Sequence, residues 1–499
     1  MKVIAWPSPS GAREYRLDSV FKYINQQSKN QCVVADFPLD AETVAIPDVL
    51  VLQQTTSQDK IALANEARKQ LGKLMVAELD DAFDVNDDSP FKELHDRLNA
   101  EKWLEVLVGV ADCVTTTTNY MQQVILDRLS AHGIIKNVYV LPNYLDMEKW
   151  DIPVKRNFNK DEVRIVWAGS CTHRKDLESI KPVLVRIMTK YPQVKFLYYG
   201  DVKLHKLFDG LNSEFIDGTE IVSHPAKLHS LRGDIAIAPL IDTEFNRCKS
   251  PLKYLEYSMC GMAGVYSNIV YPETVKKGCG IIASTDEEWF NGLESLIINP
   301  ELREEMATRA FIDVRANYSM QDHAMDWLNA YWCELSKKKA LKLDIGSGIQ
   351  PMRGDYVLLD INPRFGEMIA DITGKIPVQE GTVERIHCSM TFEHIYPEEL
   401  QEKVIPNFYK ILKEGGTLSV IVPNWEAVKD CGDWEIIQQF LYGTRHKYIP
   451  TEHDNHKHCM DFEHLKLMLE VGGFKNIRKV EYTEGAHNAT YTLAVECEK

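Results

Sequence analysis

The chain has 499 residues, of which 44% are hydrophobic and 26% are charged, and this composition excludes large-scale disorder. Because a single hydrophobic core stops growing at about 250–300 residues, we expect three domains. The formal net charge of −16 argues against a protein that binds nucleic acid non-specifically, since such proteins normally carry a basic surface.

The N-terminal segment and the cysteines indicate the compartment. The segment MKVIAWPSPSGAREY has only a short apolar run, so no signal peptide is predicted. No stretch approaches the roughly 18 consecutive apolar residues of a membrane span. The 11 cysteines are scattered without a C-x-x-C pair, as is usual for free thiols in a reducing compartment. We therefore expect a cytoplasmic protein without a transmembrane segment.

From Met1 to about Asp151, short apolar strands alternate with helical stretches, which is the pattern of a doubly wound parallel sheet. The predicted strands are KVIAW, QCVVADF, PDVLVLQ, KLMVAELDD, ADCVTTTT and VYVLPN. A second series contains VRIVWAG, KFLYYG, GDIAIAPL and GMAGVYS. Neither series has a G-x-G-x-x-G fingerprint or a G-x-x-x-x-G-K-[ST] loop, so the usual motifs of dinucleotide redox enzymes and nucleotide hydrolases are missing. Two Rossmann-like lobes with a ligand cleft between them are predicted.

A candidate anion-binding turn follows the first strand of the second series. It contains Gly169, Ser170, His173, Arg174 and Lys175, and an amphipathic helix comes next. A small residue lets the backbone approach a ligand closely, the helix N-terminus contributes its dipole, and the basic side chains add positive charge. A plain helix-capping turn, with Ser170 or Thr172 as the N-cap, is the alternative interpretation.

A second cluster lies in FNRCKSPLKYLEYSMCGMAGVYSN, residues 245–268. Lys249, Lys253 and Glu256 recur at spacings that place them on one face of a helix, while Leu255 and Met259 face inward. The same spacing also fits a surface of ion pairs without a ligand. The position of the cluster just before a predicted strand of the second lobe favours a binding role.

With both clusters in this order, residues 1 to about 335 resemble the GT-B glycosyltransferases, especially the large retaining family that uses nucleotide-diphosphate sugars. The resemblance implies an acceptor lobe at residues 1–155 and a nucleotide-sugar lobe at 156–335. It further implies that Glu256 binds the ribose and that Lys249, with Arg174 or Lys175, neutralises the diphosphate. It also implies that Ser250 and Lys253 lie near the diphosphate, and with Gly169 and Ser170 of the anion-binding turn they complete the predicted donor site. The sequence departs from the family at Cys248, where a glutamate is frequent.

Paired carboxylates, Asp80 and Asp81, follow a hydrophobic strand of the first lobe. Such a pair can hold a metal ion, but GT-B relatives use basic residues and helix dipoles where other glycosyltransferases use a divalent ion. We therefore expect the two aspartates to bind hydroxyl groups of the acceptor or sugar. The loops TTTTNY and LPNYLD resemble the strand-end loops that face the cleft in that family, although simple turns explain them equally well.

Residues 341–362, LKLDIGSGIQPMRGDYVLLDIN, read as a strand, a glycine-rich turn and a second strand that ends in an acid. Gly346 and Gly348 allow a tight turn beneath a ligand, and Asp360 is placed to hold two ribose hydroxyls. Gln350 stands where a dinucleotide fingerprint has its third glycine, and Asp360 comes too soon for a phosphate-binding helix. A nucleoside site is therefore favoured over a dinucleotide site.

Together with HCSMTFEHI, LKEGGTLSVIVPN and VGGF, this segment makes residues 341–499 resemble the class I S-adenosylmethionine-dependent methyltransferases. The resemblance implies that Asp344, Gly346 and Gly348 line the methionine end of the cofactor and that Asp360 binds its ribose. It places Asp371 near the adenine amino group, with Ser389 and Met390 closing the pocket. An ordinary glycine turn, or a domain that binds the cofactor without transferring methyl, are the alternatives.

Histidines are the natural candidates for the base that removes a proton from a methyl-accepting hydroxyl. His394 follows the fourth strand of this domain, and His446, His453, His456 and His458 crowd a polar stretch before its end. We select His394 and His458 as catalytic candidates. The stretch HDNHKHC could also bind zinc, but its spacing matches no standard zinc finger, so no metal site is predicted. A plain surface loop and a role in acceptor binding are further alternatives.

The sequence thus predicts an α/β protein with two GT-B lobes and a separate methyltransferase domain. Its predicted function is to transfer a sugar from a nucleotide-diphosphate sugar to a glycan-type acceptor and to methylate the acceptor or product with S-adenosylmethionine. Two alternatives stay open. One is an enzyme that modifies a base or sugar of nucleic acid, which the acidic composition disfavours. The other is a degenerate nucleotide-binding scaffold, for which Cys248 and Gln350 are the best support.

Overall fold

The computed structural model describes residues 1–8, 11–36, 40–54, 57–82, 104–154, 161–348, 351–352, 354–442, 456–481 and 491–499. Contacts between residues divide the chain into two compact units. The larger unit comprises Val3–Tyr23 and Cys32–Ala324, and the C-terminal unit comprises Met1–Lys2, Ile24–Gln31 and Met325–Lys499. The continuous part of the C-terminal unit begins at Met325, inside the helix Met320–Lys338, and the lysine run after Ser336 begins within the same helix.

The first sheet of the larger unit has six strands in the order β2-β1-β3-β4-β5-β6. They are β1 Lys2–Trp6, β2 Gln31–Val34, β3 Val49–Gln53, β4 Leu74–Leu79, β5 Cys113–Thr116 and β6 Val138–Val140. The pairs from β1 and β3 through to β5 and β6 are parallel. Both β3 and β4 are buried along their whole length, which explains their near-continuous apolar sequences.

The second sheet has the order β12-β11-β10-β7-β8-β9, and all its neighbours are parallel. Its strands are β7 Val163–Gly169, β8 Val194–Gly200, β9 Ser213–Asp217, β10 Ile235–Ala238, β11 Ala263–Ser267 and β12 Ile281–Ala283. The two predicted series of strands, and with them the two Rossmann-like lobes, are confirmed. We call 3–23 with 32–154 the first lobe and 161–324 the second lobe.

Helices cover the faces of both sheets. In the first lobe they are α1 Ser19–Gln27, which continues into the C-terminal unit, α2 Ala41–Ala45, α3 Gln58–Leu71, α4 Asn119–Ala131 and α5 Met147–Trp150. In the second lobe they are α6 Arg174–Lys190, α7 His224–Ser230, α8 Glu244–Arg247, α9 Leu252–Met259, α10 Asp286–Ile298 and α11 Pro300–Asn317. Helix α12, Met320–Lys338, crosses from the larger unit into the C-terminal unit.

The C-terminal unit contains a seven-stranded sheet in the order β15-β14-β13-β16-β17-β19-β18. Its strands are β13 Leu341–Ile345, β14 Tyr356–Asp360, β15 Met368–Ile369, β16 Val383–Ser389, β17 Leu412–Pro423, β18 Lys475–Lys479 and β19 Thr492–Glu498. Strand β19 is antiparallel to both of its neighbours, whereas the other pairs are parallel. The helices that follow α12 are α13 Pro397–Glu399, α14 Ile405–Ile411, α15 Trp425–Lys429, α16 Trp434–Tyr442 and α17 Phe462–Val471.

Two further observations bear on the expectations from composition. All 11 cysteines are free thiols. Among the described residues, no helix combines the length and apolar character that crossing a membrane would require.

Candidate functional sites

The carboxyl end of β7 forms the floor of the first candidate site. A Cβ atom at Gly169 would lie 2.8 Å from the Trp167 ring and 3.1 Å from the Lys253 ammonium nitrogen. Only glycine fits at this position without displacing a neighbour. Because Gly169 has no side chain, the Lys253 ammonium lies directly over the turn. Ser170 comes next, and its hydroxyl lies 2.6 Å from that of Thr172.

Ser170 is the N-cap of the 3-10 turn Cys171–His173 that leads into α6, but its side chain accepts no capping hydrogen bond. For α6 itself the N-cap is a different residue. His173 occupies the N-cap position, and no side chain accepts a hydrogen bond there. Instead, His173 Nδ1 lies 2.8 Å from Asp176 Oδ2, and Asp176 Oδ1 accepts 2.9 Å bonds from the Ile241 backbone and the Asn246 amide. Burial, with Lys253 nearby, lowers the pKa of His173 to about 4, so the imidazole is neutral at pH 7. Sequence reasoning missed Asp176, although its i,i+3 spacing from His173 was a usable signal.

Arg174 and Lys175 lie in the first turn of α6 rather than in a loop, and both are exposed. The Arg174 guanidinium donates to Glu178 and to the Lys203 carbonyl oxygen, each at 3.0 Å. These bonds hold Arg174 along the helix surface. In this conformation Arg174 is therefore not grouped with the lysines of the second cluster.

The second cluster does not lie on a single helix face as expected. Helix α9 begins at Leu252 with Pro251 as its N-cap, so Lys249 and Ser250 belong to the turn between α8 and α9. Proline lacks a backbone N–H and starts a helix more readily than it continues one, which separates Lys249 from the helix. Ser250 Oγ accepts a 2.8 Å bond from the Asn143 amide of the first lobe.

Two lysines supply positive charge to this site. The Lys249 ammonium lies 3.6 Å from an Asp81 carboxylate oxygen and 4.2 Å from the centre of the Phe245 ring. Burial lowers the pKa of Lys253 to about 8. The positive charge of Lys249 lowers this pKa further, and the negative charge of Glu256 offsets only part of the shift. Among the described residues, no carboxylate lies within ion-pair distance of the Lys253 ammonium. Lys253 is thus the less neutralised of the two cations.

Glu256 is the buried acid of this site, with 6% of its surface exposed. Its Oε1 atom accepts a 2.7 Å bond from the Tyr15 hydroxyl of the first lobe and lies 3.4 Å from His224 Nε2. Burial alone would raise the pKa of Glu256, but His224, Lys253 and Tyr15 bring it below its ordinary value. The carboxylate is therefore ionised at neutral pH. Neither Tyr15 nor His224 was predicted from sequence.

The carboxyl ends of the first-lobe strands carry Asp80 and Asp81. Asp80 Oδ1 accepts a 2.6 Å bond from the Gln54 amide, and burial, with Asp81 adjacent, raises the pKa of Asp80. At the same edge, three buried polar atoms have no hydrogen-bond partner among the described residues: Gln53 Nε2, Thr116 Oγ1 and Thr117 Oγ1. Unpaired buried polar atoms are costly, so this edge is well suited to bind a hydroxylated ligand.

A buried ion pair beneath this edge also escaped sequence reasoning. Arg16 Nε donates a 2.8 Å bond to Glu78 Oε1, and both side chains are fully buried. Glu78 Oε2 accepts a further 2.6 Å bond from Thr115. The pair fixes the turn Glu14–Asp18, which carries Tyr15, against strands β4 and β5.

The second candidate site lies at the carboxyl ends of β13, β14 and β16 in the C-terminal unit. Gly346 has φ +67°, and a Cβ there would lie 2.1 Å from Thr391 Oγ1. Asp360 accepts bonds from the backbone nitrogens of Gly348, at 3.0 Å, and Asn362, at 2.8 Å. Asp344 accepts a 2.8 Å bond from the Met352 nitrogen. The glycine turn and the two predicted acids therefore come together.

Ser389 and Met390 complete this edge, and Asp371 follows β15, whose Ile369 pairs with Asp360. The Ser389 hydroxyl is buried and has no partner among the described residues. Met390 has φ +52°, an uncommon and strained conformation for a non-glycine residue, and its nitrogen donates a 2.7 Å bond to the Ile421 carbonyl oxygen. Asp371 is exposed and accepts bonds from the nitrogen and hydroxyl of Thr373.

The predicted histidines lie beside the same strand end. His394 ends the 3-10 turn Phe392–His394 that follows β16. His458 Nε2 lies 3.0 Å from the Phe392 carbonyl oxygen, and because a carbonyl only accepts, this nitrogen carries the proton of the neutral ring. Burial lowers the pKa of His458, so Nδ1 is left as a proton acceptor. His446, His453 and Gln350 lie outside the described residues.

No protein-family model matches the sequence, and no curated protein matches it. Among solved structures, TarM aligns with a TM-score of 0.45 and 15% identity, over 59% of this chain and 58% of TarM, which is less than two thirds of that protein. HepE from Anabaena, in complex with UDP and glucose, aligns with a TM-score of 0.49 and 13% identity over 66% of this chain and 99% of HepE. Sucrose-phosphate synthase from Thermosynechococcus elongatus aligns with a TM-score of 0.47 and 12% identity over 66% of this chain and 98% of that enzyme. Similarities of this size do not establish a shared function.

Proposed function

We propose that the larger unit is a GT-B-type glycosyltransferase that moves a sugar from a nucleotide-diphosphate sugar to a hydroxyl group of a glycan-type acceptor. The observation that carries this proposal is that three features lie in one site: the buried, ionised Glu256, the Lys253 ammonium, and Gly169, which has no side chain to cover the turn. A carboxylate suits the two ribose hydroxyls of a nucleotide, and an ammonium over a glycine turn suits its diphosphate.

In the sugar transfer, the bond between the anomeric carbon and the diphosphate oxygen breaks, and its electron pair leaves with the diphosphate. In this proposal Lys249 and Lys253 neutralise the developing charge, which is the main catalytic demand of the step. The position of Arg174, bonded to Glu178 and Lys203, favours Lys253 over Arg174 for that role. Retention of anomeric configuration is proposed from the family resemblance alone.

Asp80 and Asp81 of the first lobe are proposed to bind acceptor hydroxyls. Asp81 lies 3.6 Å from Lys249, so the proposed acceptor edge borders the proposed diphosphate site. The unpartnered side-chain atoms of Gln53, Thr116 and Thr117 offer further hydrogen bonds to a hydroxylated molecule. This proximity supports a reaction between the two ligands within one cleft.

For the C-terminal unit we propose methyl transfer from S-adenosylmethionine to an oxygen of the acceptor or of the glycosylated product. The bound cofactor supplies an activated methyl group on a sulfonium ion. Its fit is supported by Asp360 at the end of β14, by the orphaned Ser389 hydroxyl and by Gly346, where any side chain would meet Thr391. A sheet that is parallel except for β19 supports the same family assignment.

His458 is proposed as the base that takes the proton from the accepting hydroxyl. Its Nε2–H is held by the Phe392 carbonyl oxygen, which directs the unprotonated Nδ1 away from that bond. A neutral imidazole with a lowered pKa is ready to accept a proton at pH 7. His394 lies in the adjoining turn, next to the buried Glu393.

The full-length protein can test both activities by thermal unfolding with S-adenosylhomocysteine and, separately, with UDP, GDP, ADP and dTDP. A ligand at about 100 times its dissociation constant stabilises the unit that binds it by about 2.7 kcal/mol. We expect S-adenosylhomocysteine to shift one unfolding transition and one diphosphate to shift the other. The double variant Lys249→Ala/Glu256→Ala should lose only the diphosphate response. A protein that responds to neither class of ligand would instead support the scaffold alternative.

A further inference from the structure

A cluster of metal-ligating side chains lies in the C-terminal unit, at the turn that follows β16. Glu393, His394 and His456 each offer one ligand atom, and these three atoms lie within 4.8 Å of one another. Glu393 and His394 belong to the 3-10 turn after β16, whereas His456 comes from the segment that leads to α17. The cluster therefore joins two separate parts of the sequence.

Glu393 is the most informative member of this cluster. Only 2% of its surface is exposed, and neither carboxylate oxygen has a hydrogen-bond partner among the residues that the structure describes. The nearest cation that could pair with it is the His394 ring, whose Nε2 lies 3.9 Å from Oε1. A carboxyl group buried in this way is strongly disfavoured unless it is neutralised or bound to a metal ion.

The backbone holds the two parts of the cluster together before any ion binds. The Lys457 nitrogen donates a 2.7 Å bond to the Glu393 carbonyl oxygen, and His458 Nε2 donates to the Phe392 carbonyl oxygen at 3.0 Å. The His394 and His456 rings meet edge to face, with centroids 4.9 Å apart and planes at 74°. This arrangement fixes which side chains can reach a shared ligand.

A narrow gap, too small to hold a water molecule, borders the cluster. Glu393, His456 and His458 provide its polar lining, and Val422, Pro423 and Met460 provide the rest. Apolar walls exclude water and strengthen the interaction between a cation and its ligands. Two of the three proposed ligands, Glu393 and His456, therefore face the same gap.

We propose that Glu393, His394 and His456 bind one divalent transition-metal ion of the zinc type. Two imidazoles and one glutamate form the His₂Glu set found in catalytic zinc sites, and nitrogen ligands disfavour magnesium and calcium. Ligand atoms of a tetrahedral ion with bonds of about 2.0–2.1 Å lie about 3.4 Å apart, so binding would draw the three atoms together by about 1 Å. Three protein ligands leave a fourth position for water or a substrate oxygen.

Metal binding goes beyond the proposed methyl transfer and does not depend on it. From the sequence, zinc binding by the stretch HDNHKHC was an alternative that the spacing disfavoured, and its combination with the distant pair Glu393–His394 was not foreseen. Glu393 was not singled out at all. Asp344 and Asp360 are not among the proposed metal ligands, so metal binding and cofactor binding can be measured separately.

The test uses the full-length protein, stripped with a chelator and titrated by calorimetry with Zn²⁺ and, separately, Co²⁺. We expect one tight Zn²⁺ equivalent, and visible Co²⁺ absorption of a low-symmetry nitrogen and oxygen site. Glu393→Gln and His456→Gln should each weaken binding at least about 100-fold, since loss of an outer-shell partner alone costs about 10–100-fold. His464→Gln, which changes an exposed histidine of α17, is the matched control and should bind as the parent does.

Two results would overturn the proposal. One is Zn²⁺ affinity in Glu393→Gln and His456→Gln equal to that of the parent. The other is thiolate-to-cobalt charge transfer in the near ultraviolet, which would place the ion on the free cysteines, Cys459 included. Glu393→Gln is nearly isosteric, and its metal-free unfolding temperature shows whether the fold is kept. If that variant does not fold, the absorption spectrum of Co²⁺ in the parent still distinguishes the two kinds of ligand.

Discussion

Tyr15 and Glu256 are 241 residues apart in the sequence, yet the tyrosine hydroxyl donates a 2.7 Å hydrogen bond to the glutamate carboxylate. Both side chains are buried, one in the turn Glu14–Asp18 of the first lobe and the other in α9 of the second lobe. The bond therefore ties the lobes together at the acid proposed to hold the ribose. A nucleotide that engages this oxygen has to compete with the tyrosine.

We predict that Tyr15→Phe destabilises the larger unit and raises its affinity for a nucleoside diphosphate. Losing a buried hydrogen bond to a charged group should lower the free energy of unfolding by roughly 1.5–3 kcal/mol. Calorimetric unfolding and diphosphate titration measure the two effects. Tyr396→Phe, at an exposed position of the C-terminal unit, is the control and should change neither. A weaker diphosphate affinity in Tyr15→Phe would mean that the tyrosine positions Glu256 for the ligand instead of competing with it.

The binding of a nucleoside diphosphate should weaken as the pH rises above about 8. Burial lowers the pKa of Lys253 to about 8, so the free protein loses this positive charge above that pH. Below it, the ammonium is fully protonated and affinity is greatest. Lys253→Arg, whose guanidinium stays charged, should flatten the pH dependence. Parallel affinity curves for the two proteins between about pH 7 and 10 would show that another group governs the effect.

Gly169→Ala should weaken diphosphate binding and also destabilise the larger unit, because the ring that the new methyl group meets belongs to the buried Trp167. The added methyl group would lie 2.8 Å from the Trp167 ring and 3.1 Å from the Lys253 ammonium, so it displaces the cation from the turn. Gly109→Ala is the matched control, because a Cβ there has no atom within 4 Å and the φ angle is not positive. The control should bind as the parent does, and a stability gain of about 0.4–1 kcal/mol is typical of such a change. Equal diphosphate affinity in both variants would exclude the turn from the donor site.

The sequence predicted buried strands better than half-exposed ones. Strands β3 and β4 are buried on both faces, so their apolar runs were recognisable. Strand β9, Ser213–Asp217, was missed because it is a half-exposed edge strand whose residues are mixed in polarity. The site was less predictable, since the partners of Glu256, Tyr15 and His224, come from distant segments. The i,i+3 and i,i+4 spacing had also predicted that Lys249 lies on the same helix as Lys253 and Glu256. In the structure Pro251 is the N-cap of α9, so Lys249 precedes the helix.

Gly346→Ala should eliminate stabilisation of the C-terminal unit by S-adenosylhomocysteine. An alanine at φ +67° is strained, and its methyl group would also lie 2.1 Å from Thr391 Oγ1. Gly381→Ala separates the two effects, because Gly381 has φ +72° but nothing within 4 Å of a Cβ. Both variants should lose about 1 kcal/mol of stability from backbone strain. Only Gly346→Ala should lose the ligand response in thermal unfolding, and loss in both would assign the effect to strain.

Asp344→Asn should stabilise the C-terminal unit at neutral pH but weaken its affinity for S-adenosylhomocysteine. Burial raises the pKa of Asp344 to about 6. The hydrogen bond from the Met352 nitrogen lowers this pKa, and the negative charge of Asp360 raises it. A raised carboxyl pKa favours the folded state fully below about pH 4, and this contribution is lost as the pH rises through about 6.

At pH 7 the substitution should therefore raise the free energy of unfolding by roughly 2–3 kcal/mol, because one pKa unit corresponds to about 1.4 kcal/mol. Below about pH 4 it should leave the free energy of unfolding unchanged. The affinity for S-adenosylhomocysteine should change in the opposite direction to the stability. The reason is that the ammonium group at the amino-acid end of this ligand is best held by an ionised carboxylate. Affinity in the parent should accordingly rise as the pH increases through about 6, and Asp344→Asn should remove that rise. Thermal unfolding and calorimetric titration across this range measure both. A variant that is less stable at pH 7, yet binds the ligand normally, would reassign Asp344 from the cofactor site to the packing of the turn.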